Sequence, residues 1–127
     1  MLKPFEFGPT IQPIILNKNP IVTGSIVTVT GWGRTSSGGE RPLKLQRVQL
    51  AILPQWECEL LYREENITDN MFCTGRAGRG ICSGDSGGPA VLNGRQIGIV
   101  SFTRKCTHPV FMNIYTLYDW IHKYTGI

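Results

Sequence analysis

The sequence predicts an all-β fold, a β-barrel of short antiparallel strands finished by one helix. Three observations carry that expectation. Apolar residues alternate with period two in several short runs, as in half-buried strands. Those runs are separated by Gly-, Pro- and Asn-rich turns rather than by helical crossovers. The one long helical stripe is confined to the C-terminus, where Leu117, Trp120, Ile121 and Tyr124 recur at i, i+3, i+4 and i+7.

Residues 1–20 carry Pro4, Pro9, Pro13 and Pro20 and read as an extended connector with a few apolar anchors. The alternation starts at Ser25, and Ile26-Val27-Thr28-Val29-Thr30 is the first strand candidate. Residues 35–42 are a Ser/Gly-rich, exposed and easily nicked loop. A second alternating run covers residues 45–53, with Val48, Leu50 and Ile52 on one face. Pro54 suits a first helical turn, and Trp56, Leu60 and Leu61 fit a short helix ending near Tyr62. Residues 71–73 and 90–92 are short apolar strands. Asn93-Gly94 is a two-residue hairpin signal that leads into a strand over residues 95–102. A last strand candidate covers residues 110–114.

Composition sets the outer bounds. The chain has 127 residues, enough for one domain or part of one, and its hydrophobic fraction of 41% is ordinary. No apolar run reaches the ~20 residues of a membrane-spanning helix, so no membrane partner is expected. Residues 1–4 lead into mixed sequence without the apolar core of a secretory signal. The net charge of +4 comes from scattered side chains such as Arg34, Arg41, Arg76 and Arg104, which read as solvated surface charge. They form no aromatic-interleaved stripe, and nucleic acid is not an expected partner. Four cysteines, Cys58, Cys73, Cys82 and Cys106, with no Cys-x-x-Cys pair, argue for two disulfides and an oxidising compartment. Zinc at Cys106 and His108 is the competing reading, but the spacings match no usual zinc pattern, and neither metal nor cofactor is expected. Asn66-Ile67-Thr68 is an N-glycosylation sequon, with plain loop polarity as its alternative.

The chemistry concentrates in Gly84-Asp85-Ser86-Gly87-Gly88-Pro89. Small neighbours leave the Ser86 hydroxyl uncovered and let a substrate backbone approach. A tight glycine turn can also converge N–H groups on a developing oxyanion. A serine attacks a carbonyl well only when a base takes its proton, and neither His108 nor His122 lies in a motif that would provide one. The string also fits the loose G-x-S-x-G elbow of α/β-hydrolases, with Asp119 and His122 following in that order. That reading fails because a strand and hairpin follow the serine instead of a helix, and because Asp119 and His122 lie three apart on one short helix.

Beyond the hexapeptide the chain resembles the C-terminal half of a chymotrypsin/trypsin-like serine protease. The resemblance runs through Gln12-Pro13-Ile14, Gly31-Trp32-Gly33, Met71-Phe72-Cys73, the stretch from Cys82 to Pro89, Gly98-Ile99-Val100-Ser101-Phe102 and Asp119-Trp120-Ile121. It implies a C-terminal six-stranded antiparallel β-barrel of a two-barrel fold, over residues 21–127, with residues 1–20 as the inter-barrel connector. It implies a secreted serine endopeptidase acting through an acyl-enzyme on Ser86. The N–H groups of Gly84 and Ser86 would form the oxyanion hole, and Asp85 would take the activation salt-bridge position. Disulfides Cys58–Cys73 and Cys82–Cys106 are expected, while the positions of a third family bridge hold Val27 and Leu92.

The same resemblance places Gly80 and Ile81 at the base of a substrate pocket, with Ser101, Phe102, Thr103 and Val110 along its walls. Glycine at position 80 supplies no charge for Arg or Lys, and Thr103 narrows the entrance, so an apolar pocket for small or medium side chains is expected. The expected partners are protein or peptide substrates, protease inhibitors and a missing N-terminal barrel. The family's histidine and aspartate precede the serine on that barrel, and this sequence holds no Ala-Ala-His-Cys-like string. The chain therefore reads as a partial domain, inactive alone. A non-catalytic binding module that keeps the barrel is the alternative.

Overall fold

The computed structural model describes residues 3–34, 38–75, 82, 84–104 and 106–127. In chain order the elements are β1 (Ile15–Leu16), β2 (Ile26–Gly31), β3 (Gln46–Ala51), α1 (Gln55–Leu61), β4 (Met71–Cys73), β5 (Pro89–Leu92), β6 (Arg95–Arg104), β7 (Thr107–Asn113) and α2 (Ile114–Thr125). The antiparallel path runs β3-β2-β5-β6-β7-β4, and β1 joins β6 in parallel at Arg95 and Gln96. The path curls until its two ends meet. Ile52 bridges Thr74, the Leu53 N–H donates to the Cys73 carbonyl at 2.9 Å, and the Gly75 N–H donates to the Ala51 carbonyl at 2.7 Å. That seam makes the sheet a six-stranded barrel.

Alternation explains the core. Val27 and Val29 on β2 and Leu50 on β3 are buried, with Val27 directly opposite Leu50. They pack with Ile52, Phe72, Ala90, Ile97, Val100 and Phe111. The Phe72 and Phe111 rings stack with centroids 4.9 Å apart. Gly98 is needed beside them, because a Cβ there would lie 2.7 Å from Phe72 Cζ. Leu92 packs against the same cluster as Val27, so apolar contact occupies the place of the third bridge. The Asn93-Gly94 signal is realised as a tight turn with φ of 50° and 74°, matching the twist of β5 and β6.

Both helices depart from their apolar stripes. On α1, Trp56 and Leu60 are exposed, and the buried residue is Cys58. The helix is held by the Cys58–Cys73 disulfide to β4 and by Tyr62, not by a greasy face. On α2, Trp120 and Tyr124 are likewise exposed, while Ile114 is buried. Asn113 caps α2 through its side chain to the Tyr115 N–H, and Gly126 ends it in the left-handed conformation. Among the described residues no helix is long and apolar enough to cross a membrane.

Candidate active site

Ser86 sits in the turn that feeds β5, and hydrogen bonds from three directions fix that turn. The Gly87 N–H donates to the Val100 carbonyl at 2.7 Å, and the Val100 N–H donates to the Gly88 carbonyl at 2.9 Å. These tie the turn to the middle of β6. Within the turn, the Gly88 N–H donates to the Asp85 carbonyl at 3.0 Å, and the Asp85 N–H to the Cys82 carbonyl at 3.1 Å. Gly84 and Gly87 adopt φ of 104° and 86°, which glycine reaches without a Cβ penalty. The Cys82–Cys106 disulfide links the turn to the β6–β7 hairpin. It also removes Cys106 as a thiolate ligand for a metal.

The Ser86 side chain is exposed, and its Oγ donates to the Ser101 carbonyl on β6 at 3.2 Å. Its neighbour Asp85 points the other way and is buried. Asp85 Oδ1 accepts from the Gly33 N–H at 2.8 Å, and Oδ2 accepts from the Cys82 N–H at 3.2 Å. Gly31 and Gly33 form the bed of this carboxylate. A Cβ on Gly31 would lie 2.0 Å from Asp85 Oδ1, and one on Gly33 would lie 2.3 Å from Asp85 Cγ. The Gly31-Trp32-Gly33 spacing was visible in the sequence, but its pairing with an aspartate 52 positions away was not. Arg41 is a second unanticipated neighbour. Its Cζ lies 3.3 Å from where a Gly84 Cβ would stand.

The residues assigned to substrate binding divide into groups. Gly80 and Ile81 lie outside the described residues. Ser101 and Thr103 are partly buried on β6, and the Thr103 hydroxyl donates to the Thr107 carbonyl on β7. Phe102 turns toward Tyr62, edge to face at 5.5 Å. Val110 is fully buried with Cys58, Tyr62 and Cys73, so it presents no surface in this conformation. Tyr62 braces the hairpin by donating to the His108 carbonyl at 2.6 Å. Beyond it, the Glu65 carboxylate accepts from the Arg104 guanidinium. That hydrogen bond first, and the charge of Glu65 second, raise the Arg104 pKa above its ordinary value.

Among the described residues neither histidine bonds to Ser86. His122 Nδ1 lies 2.9 Å from the Ile127 carbonyl, and its ring stacks on Tyr118. His108 lies in β7 with φ of 34°.

A glycine-turn serine set against a closed antiparallel barrel, with two disulfides at its flanks, defines a serine-protease-type half-fold. The family model for trypsin matches residues 1–121, and the chain belongs to the trypsin family of serine proteases. It is 40% identical to chymotrypsin-2 of Vespa crabro over 126 residues, covering 95% of this chain and 57% of that protein. It is 43% identical to a trypsin of Phaedon cochleariae over 136 aligned positions, covering 98% and 52%. The solved structure of neuropsin, a serine protease expressed in the limbic system of mouse brain, superposes with a TM-score of 0.84 at 31% identity, covering 93% of this chain and 56% of that one. The chain thus spans about half the length of the curated relatives it matches.

Proposed function

We propose that this chain is the nucleophile-bearing half of a secreted serine endopeptidase that cleaves peptide bonds through an acyl-enzyme on Ser86. The observation that carries the reading is the exposed Ser86 Oγ at the Ser101 carbonyl, in a turn pinned from behind by Asp85. In the proposed reaction Ser86 Oγ attacks the carbonyl carbon while a base removes its proton. The Gly84 and Ser86 N–H groups, which meet no acceptor among the described residues, receive the oxyanion. The amine then leaves with a proton, and water releases the acyl group. Substrate lies along Ser101, Phe102 and Thr103 as an added strand.

Base and orienting acid come, on this reading, from a first barrel outside these residues, with residues 1–20 as the connector to it. Among the described residues the Ser86 hydroxyl bonds to the Ser101 carbonyl and to neither histidine, which supports that, as does the half-length match to the relatives. So does the exposed apolar surface of Phe5, Phe7, Ile14, Ile15 and Trp32, which a second barrel would cover. The chain alone is inactive. Asp85 takes the activation salt-bridge position, so its two backbone donors hold it where a new N-terminus would meet it. The resemblance assigns the pocket base to Gly80 and Ile81, outside the described residues, and on this reading Thr103 narrows the pocket to small or medium apolar side chains. The natural partners are protein or peptide substrates and protease inhibitors.

The test joins this chain to the N-terminal half of Vespa crabro chymotrypsin-2 and treats the chimera with a fluorophosphonate probe. The chimera should label at Ser86, and the S86A chimera and the isolated chain should not. A folded chimera that stays unlabelled would favour the second reading, a binding module whose barrel carries no reaction. Strong labelling of the isolated chain would contradict its inactivity.

A further inference from the structure

Asn66 belongs to no part of the site described above, yet its surroundings are built. The sequon Asn66-Ile67-Thr68 lies in the loop between α1 and β4. Ile67 is partly buried and packs on the cluster of Cys58, Tyr62, Cys73 and Val110. The Thr68 carbonyl accepts from Gln55 Nε2 at 3.0 Å and from the Met71 N–H at 3.1 Å. Thr68 Oγ1 accepts from the Asn70 N–H at 3.3 Å. On the other side, Glu65 is tied to Arg104 at the end of β6. The loop is thus anchored at each flank of Asn66, while Asn66 itself is exposed and its side chain makes no hydrogen bond among the described residues.

We propose that Asn66 is an occupied N-glycosylation site. The donor is a lipid-linked oligosaccharide diphosphate of the secretory pathway. The Asn66 amide nitrogen forms a bond to the anomeric carbon of the first sugar, the anomeric C–O bond breaks, the lipid diphosphate leaves, and the amide gives up one proton. No oxidation state changes. Modification sacrifices no native contact, because the amide has none to lose, and the bulky sugar projects into solvent. The two disulfides are consistent with passage through the oxidising compartment where this transfer occurs. The site borders the β6 end, since Arg104 stands three residues beyond Ser101, about 10 Å along the strand. A glycan there flanks the proposed substrate strand without covering Ser86.

The test expresses the 127-residue chain behind a secretory leader in eukaryotic cells and maps the peptide containing Asn66 before and after amidase deglycosylation. The wild-type peptide should carry a glycan mass and convert to the aspartate form on treatment. N66Q and T68A should abolish it, whereas T68S, which keeps a hydroxyl at the third position, should retain it. Because transfer precedes folding, cellular as well as secreted material is read, so poor folding of a variant does not mask the result. An unmodified Asn66 in the wild-type chain overturns the proposal. The readout is a mass and stands whether or not Ser86 proves catalytic.

Discussion

Gly33→Ala isolates the contact on which the serine turn rests. Gly33 does not occupy the left-handed region, so alanine meets no backbone penalty, and the effect is steric. The new Cβ would lie 2.4 Å and 2.5 Å from the two carboxylate oxygens of Asp85. Asp85 must shift, which strains packing by roughly 1–3 kcal/mol. It also weakens the Gly33 N–H bond to a charged acceptor, a bond of the roughly 1.5–3 kcal/mol class. The combined cost is about 3–5 kcal/mol, a large fraction of an ordinary domain's stability. At a urea slope of about 1.5–2 kcal/mol/M the midpoint should fall by roughly 2 M. Gly8→Ala serves as a control, since nothing lies within 4 Å of its added Cβ. Asp85→Ala changes the sign. With the carboxylate gone, Gly33→Ala enters vacated space and should be neutral or stabilising by up to about 1 kcal/mol. The double-mutant coupling is then about 3–6 kcal/mol, the difference between the two costs. Equal costs of Gly33→Ala in both backgrounds would refute the claim that these glycines exist to seat Asp85.

Replacing Cys58 and Cys73 together by alanine opens a bridge of sequence separation 15 and should lower stability by about 3 kcal/mol. Scanning calorimetry checks this, and a loss under about 1 kcal/mol would mean that α1 is held mainly by other contacts. Thr103→Gly removes the hydroxyl that bonds across to Thr107. In the chimera, kcat/KM for phenylalanine over alanine at the residue before the cleaved bond should rise on the order of tenfold. An unchanged ratio would move the specificity boundary away from Thr103.

The barrel was legible because its signals are local. Val27 and Val29 alternate into the core as their spacing implies, and Asn93-Gly94 turns as its sequence implies. The helices were less legible because their anchors are not apolar stripes. Trp56 and Leu60 look like an inner face, but the disulfide at Cys58 decides which side of α1 turns inward. The serine turn announces itself in six consecutive residues. Its support does not, because Gly33 meets Asp85, and Arg41 meets Gly84, only after β2, β3 and β5 have paired. Thr103 and Thr107 meet for a nearer reason, since the β6–β7 hairpin pairs Arg104 with Thr107 and so brings the Thr103 hydroxyl to the Thr107 carbonyl.

That division bears on how the proposed enzyme would work. The contacts that orient Ser86, from Ser101, Val100, Gly33 and Cys82, lie within this one barrel. On the proposed reading, the placement of the Ser86 hydroxyl therefore survives separation from a partner barrel. The proton acceptor does not, since among the described residues the Ser86 hydroxyl bonds to the Ser101 carbonyl and to neither histidine. A nucleophile held in place without a base keeps the orientation part of catalysis and lacks the proton-transfer part, and the two contribute non-additively. Docking of a second barrel would thus switch on the reaction by bringing one imidazole to a turn that is already formed. Labelling of Ser86 in the chimera, and its absence in the isolated chain, is the outcome this account requires.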